Sequence, residues 1–78
     1  MRFVVLVKLK QGILDPQGKA IKKVIERRGE DRIKDIRVGK YFEIEVEESN
    51  KIEAQKIVEK IAKDTLSNPV IETVDIIQ

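Results

Sequence analysis

The chain has 78 residues, no cysteine, no histidine, and 16 basic against 14 acidic side chains, for a net charge of +2. Disulfides, thiolate chemistry, and imidazole as a general base or metal ligand are thereby excluded. The charge is mixed in sign, without the segregated basic surface that nucleic acid requires, and no apolar run approaches a membrane span.

One domain, residues 1–78, is expected, soluble and cytoplasmic, with neither nucleic acid nor membrane as partner. The start, Met1-Arg2-Phe3-Val4-Val5-Leu6-Val7-Lys8, is too quickly interrupted by charge for a signal peptide. A chain of this size buries only a modest core, and self-association is one way to enlarge it.

Phe3 to Leu9 reads as a strand. Phe3, Val5, Val7 and Leu9 share one face; Val4, Leu6 and Lys8 share the other. Both faces are partly apolar, which predicts a central strand. The following Gly12-Ile13-Leu14-Asp15-Pro16-Gln17-Gly18-Lys19-Ala20 lies where a phosphate-binding loop would lie, and misses it. One residue too many separates the glycines, Ala20 replaces the hydroxyl that would hold Mg²⁺, and Asp15 would repel a phosphate.

Asp15 and Pro16 are instead the cap and first residue of a helix. Ala20, Ile21, Val24 and Ile25 form its apolar stripe, and Gly29 its left-handed stop. Gly18 in the first turn forfeits up to ~1 kcal/mol relative to alanine. Either the helix tolerates that loss or another backbone comes close there.

Ile33 to Glu47 reads as two strands turning at Gly39-Lys40. A two-residue loop would place Ile36 and Val38 on the face of Tyr41, Glu43 and Glu45; a three-residue loop would align them with Phe42 and Ile44. Local sequence does not choose between them. A second helix is predicted from Ser49-Asn50 to Leu66, burying Ala54, Ile57, Val58, Ile61, Ala62 and Thr65, with Asn68-Pro69 ending it. Val70 to Ile77 is the last strand.

The order β-α-β-β-α-β predicts an α+β, ferredoxin-like fold: a four-stranded antiparallel sheet with two helices on one face. The other sheet face, carrying Val4 and Leu6, would be bare and open to a partner. No arrangement of residues suggests catalysis. Glu43, Glu45, Glu47 and Glu48 read as a solvated face, and one tyrosine among carboxylates is a poor RNA platform.

Two runs, Leu14-Asp15-Pro16-Gln17-Gly18-Lys19-Ala20 and Asp35-Ile36-Arg37-Val38-Gly39-Lys40-Tyr41-Phe42-Glu43-Ile44-Glu45-Val46, together with Asn68-Pro69-Val70-Ile71-Glu72, resemble the PurS family. These are small subunits of phosphoribosylformylglycinamidine synthase. The resemblance implies a non-catalytic assembly subunit in purine biosynthesis that self-associates as a dimer or tetramer. It would bridge a glutaminase subunit, PurQ, and a synthetase subunit, PurL, and assist ammonia transfer between them. This chain would hold no cofactor; ATP and Mg would be used by the synthetase.

Asp15, Gln17, Gly18, Arg37, Gly39, Lys40 and Tyr41 lie in the matching runs and become the candidate partner interface. Asp15 and Gly39 are explained as well by a helix cap and a turn. The alternative is a regulatory module of the ACT type, with Gly12 in the loop that would bind a small amino acid.

Overall fold

The alternating first segment builds β1 (Arg2–Leu9), and a computed structural model describing residues 1–78 places it at the centre of the molecule. It pairs antiparallel with β2 (Gly39–Glu45) on one side and β3 (Glu72–Ile77) on the other, giving the sheet order β2-β1-β3. Val5 stands opposite both Phe42 and Ile76, so one face of all three strands is apolar. Phe3, Val5 and Val7 are fully buried on it.

That face is covered by α2 (Lys51–Ile61). Asn50 caps it, its side-chain oxygen accepting the Glu53 N–H at 3.0 Å. Ala54, Val58 and Ala62, one helical turn apart, meet Phe3, Val5 and Val7 to form the core. Burying a side chain such as Val58 stabilises by roughly 1.5–3 kcal/mol. The helix ends in a π-helical turn, Ala62–Leu66, where the Ser67 hydroxyl donates to the Ala62 carbonyl at 2.7 Å.

The other helix, α1 (Pro16–Arg27), has Pro16 in its first turn and is followed by Gly29 at φ +99°. None of its side chains belongs to the core cluster on the sheet or packs against it. Its stripe stays in the open: Ile21 is 39% and Val24 44% exposed. After Gly29 the chain runs back along α1, from the Glu30 amide, which donates to the Ile25 carbonyl, to the Ile36 carbonyl beside Gly18. Helix and return segment together make an arm, residues 16–38, that extends away from the sheet and its covering helix.

The molecule is accordingly long, 51 × 23 × 15 Å, with a radius of gyration of 16.1 Å. A compact chain of this length has roughly 12 Å.

Three expectations are corrected. The sheet has three strands, not four, and the core on it is closed by one helix, α2, not two. The turn at Gly39-Lys40 does not exist: both are strand residues, opposite Lys8 and Val7, and Gly39 has no positive φ. The reason lies upstream. The Val38 N–H is held by the Asp15 carboxylate, so the preceding residues follow α1 and cannot fold back along β2. Finally, α2 buries a narrower face than its periodicity implies, with Ile57 46% exposed and Thr65 exposed.

Candidate functional site

The candidate residues gather where the arm joins the sheet. Asp15 is 5% exposed and holds two crossing segments. Its Oδ1 accepts the Gly18 N–H at 2.8 Å, capping α1, and its Oδ2 accepts the Val38 N–H at 2.8 Å. The Gly18 amide above all, then the Val38 amide, hold its carboxyl below the ordinary carboxylate range; burial opposes them and the Arg37 charge assists. The carboxylate thus occupies the helix N-terminus that a phosphate would need.

Gly18 has no room for a side chain, since a Cβ there would collide with the Ile36 carbonyl. Close approach of another backbone is therefore the reading that holds. Gly39 is similar: a Cβ would lie 2.7 Å from the Val7 carbonyl oxygen. Crowding against β1, not turn geometry, explains this glycine.

Arg37 reaches across the arm's base. Its Nη1 donates to the Ile13 carbonyl at 3.2 Å, and its Nη2 to those of Lys10 at 3.2 Å and Leu9 at 3.4 Å. The planar fork thereby fixes the loop between β1 and α1. Lys40 donates to the Leu66 carbonyl at 3.0 Å and lies 3.6 Å from the Glu72 carboxylate, tying the end of α2 to the sheet.

An open depression of about 400 Å³ collects Asp15, Gln17, Gly39 and Lys40, with Leu9 and Glu72. Gln17 is exposed on its rim. Arg37 borders a neighbouring depression with Gly12, Ile13 and Lys19. Tyr41 belongs to neither. It stands opposite Leu6 on the sheet face away from α2, 61% exposed, its hydroxyl 3.3 Å from Glu43.

Glu43 and Glu45 on that face pair with Arg2 at 3.7 and 3.5 Å, and nowhere do three potential metal-ligating side chains converge. Glu72 and the Ile36 carbonyl were missed by sequence reasoning. Nothing local marks them, because both act through contacts distant in the chain.

The base of the arm is thus fixed by backbone contacts and bordered by an exposed depression, with an exposed tyrosine on the sheet face away from α2. The family model described as PurS, phosphoribosylformylglycinamidine (FGAM) synthase, matches residues 2–78. The PurS subunit of Thermotoga maritima is 33% identical over 75 residues, 96% of this chain and 92% of that protein. That of Mycobacterium leprae is 42% identical over 71 residues, 91% and 86% respectively.

Among solved structures, Methanocaldococcus jannaschii PurS superposes with a TM-score of 0.84 at 32% identity, covering 97% of this chain and 92% of that one. A chain of PurLQS from Thermotoga maritima superposes with a TM-score of 0.87 at 33% identity, covering 97% and 93%. These matches identify a small subunit of a glutamine-dependent ligase. The chain belongs to the PurS family, subunits of FGAM synthase in purine biosynthesis.

Proposed function

We propose that this chain is the non-catalytic assembly subunit of its FGAM synthase, bridging glutaminase (PurQ) and synthetase (PurL) subunits and assisting ammonia transfer. One observation carries the reading: Asp15, Arg37 and Lys40, the charged groups of the candidate site, are engaged by the chain's own backbone. Residues so engaged shape a surface and are poor acids, bases or nucleophiles. The association of PurL, PurQ and PurS in the Thermotoga maritima structure supports the choice of partners.

Ammonia released in open water near neutral pH is protonated and loses its nucleophilicity, so transfer between two sites gains from a sealed interface. A rigid domain with spare apolar surface supplies one wall of it. Glutamine, ATP and Mg act on the partner subunits, in the cytoplasm, and the exposed members of the candidate set, Gln17, Arg37, Gly39, Lys40 and Tyr41, meet those partners, with buried Asp15 and Gly18 shaping the surface beneath. It joins the complex as a dimer or tetramer.

The test mixes this protein with its glutaminase and synthetase. Glutamine-dependent synthesis of formylglycinamidine ribonucleotide should require it, while ammonia-driven synthesis should proceed largely without it. Equal glutamine-dependent rates in its absence would refute the role. Tyr41→Ala, at an exposed position outside the core cluster, should weaken assembly while leaving the fold intact. Calorimetry against free amino acids should show no heat, in contrast to an ACT-type module.

A further inference from the structure

Where β1 ends, the chain leaves a cleft of about 400 Å³ lined by Lys8, Leu9, Lys10, Gln11, Arg37 and Thr73. Three of these are cations, and no acidic side chain lines the cleft. The position of Arg37 is accounted for by the Leu9, Lys10 and Ile13 carbonyls that it holds. The two lysines have no such account. Lys10 has no carboxylate partner, and Lys8 has only Asp75, at 3.9 Å. Both are exposed, so packing does not require them there, and like charges brought together repel.

We infer that this cleft binds a small phosphorylated sugar by its phosphate group. The inference goes beyond the assembly role and shares only Arg37 with the candidate interface. Three features select the ligand.

The first is charge. A phosphate monoester carries about −1.5 to −2 near neutral pH and three acceptor oxygens, which three cations match. A single carboxylate would leave two of them unopposed. Second, the oxygens that would repel an anion are covered. Arg37 holds the Leu9 and Lys10 carbonyls, and the Thr73 hydroxyl lies 3.4 Å from that of Lys8. That bond is long, so the hydroxyl is free to turn toward a ligand oxygen. The Gln11 and Gly12 amides, in the turn that follows, donate to no acceptor in the chain. Third, the volume lies within the roughly 300–1,000 Å³ of small-ligand sites, more than a bare phosphate fills. Leu9 is the only apolar lining residue and no aromatic ring is present, so a nucleobase finds nothing to stack on. Sugar hydroxyls, by contrast, find Gln11 and Thr73.

The experiment titrates the whole chain, without partner subunits, with ribose 5-phosphate at low ionic strength, following backbone amides by NMR and heat by calorimetry. Saturable binding at one site per chain is expected, with amide shifts concentrated at Lys10, Gln11, Gly12 and Thr73. Ribose should not bind, and inorganic phosphate should compete about tenfold more weakly than the ester. Lys8→Gln with Lys10→Gln should weaken binding more than about tenfold and reduce its dependence on salt. Shifts that never saturate and spread to the arm's own Lys19 and Lys23 would overturn the proposal. So would unchanged affinity in a double variant that folds. Inorganic phosphate binding as tightly as the ester would overturn the choice of a sugar. A glutamate-rich peptide that binds there more tightly than the ester would also overturn it, giving the cleft to an acidic partner segment. Because the amide map uses the unmodified chain, a misfolded variant would not rescue the proposal. None of these outcomes bears on glutamine-dependent turnover with the partner subunits, so assembly role and phosphate site fail separately.

Discussion

Asp15 does two jobs with two oxygens: one closes the first turn of α1, the other holds the amide of Val38. Gly18 completes the clasp by letting the Ile36 carbonyl approach the helix where a methyl group would stand. An exposed glycine inside a helix normally gains by replacement with alanine, up to about 1 kcal/mol. Here the Cβ meets main chain that cannot rotate away, and overpacking of this kind typically loses 1–3 kcal/mol, about. Gly18→Ala should therefore lower the denaturation midpoint, and a higher midpoint would show that the clasp yields. The carboxyl also sets a pH dependence. Its folded pKa lies below the ordinary value of about 3.9, so the folded state binds fewer protons than the unfolded state. The stabilisation is complete above the ordinary carboxylate pKa and is lost as pH falls through the lower folded value. Asp15→Asn should flatten that acid limb of a stability profile; an unchanged limb would assign it to other carboxylates.

The two helices carry apolar stripes of opposite fate. That of α2 is closed within one chain, with Ala54, Val58 and Ala62 buried; that of α1 is open. Val58→Ala should lower the unfolding midpoint at every protein concentration, by the loss of contacts plus the cavity left behind. Val24→Ala should have an effect within about 0.5 kcal/mol in dilute solution, as surface substitutions do, and a larger one where chains associate. An equally small effect at all concentrations would mean that the α1 stripe stays in solvent when chains associate. This contrast also shows what was legible in advance. β1, the Asp15-Pro16 helix start and the extent of the second helix follow from local rules of period and capping. Period names the apolar face of a helix and says nothing of what that face meets. Gly39-Lys40 has the composition of a tight turn, yet a contact between Asp15 and Val38, 23 residues apart, sends the chain elsewhere. Of the candidate site, Asp15 and Gly18 were readable as a cap and a close approach, whereas the carbonyl partners of Arg37 and Lys40 required the tertiary fold.

At the scale of the molecule, only 8 of 78 residues are buried, and the apolar core is a cluster of six side chains. Such a core offers little margin against the roughly 1–2 kcal/mol per residue of backbone entropy lost on folding. The arm is ordered without a core of its own, so the apolar surface it still exposes is a reservoir of stability that a single chain leaves unused. Filling that reservoir by association ties folding to mass action, because a partner that binds only folded chain raises the unfolding temperature as its concentration rises. The thermal midpoint of this protein should accordingly climb with protein concentration, with unfolding and dissociation observed as one transition. A double variant, Ile21→Lys with Val24→Lys, which makes the exposed stripe of α1 polar, should unfold at a lower temperature that dilution no longer changes. A wild-type midpoint indifferent to concentration would mean that three strands and one helix suffice, and that the length of the arm serves only the partner subunits.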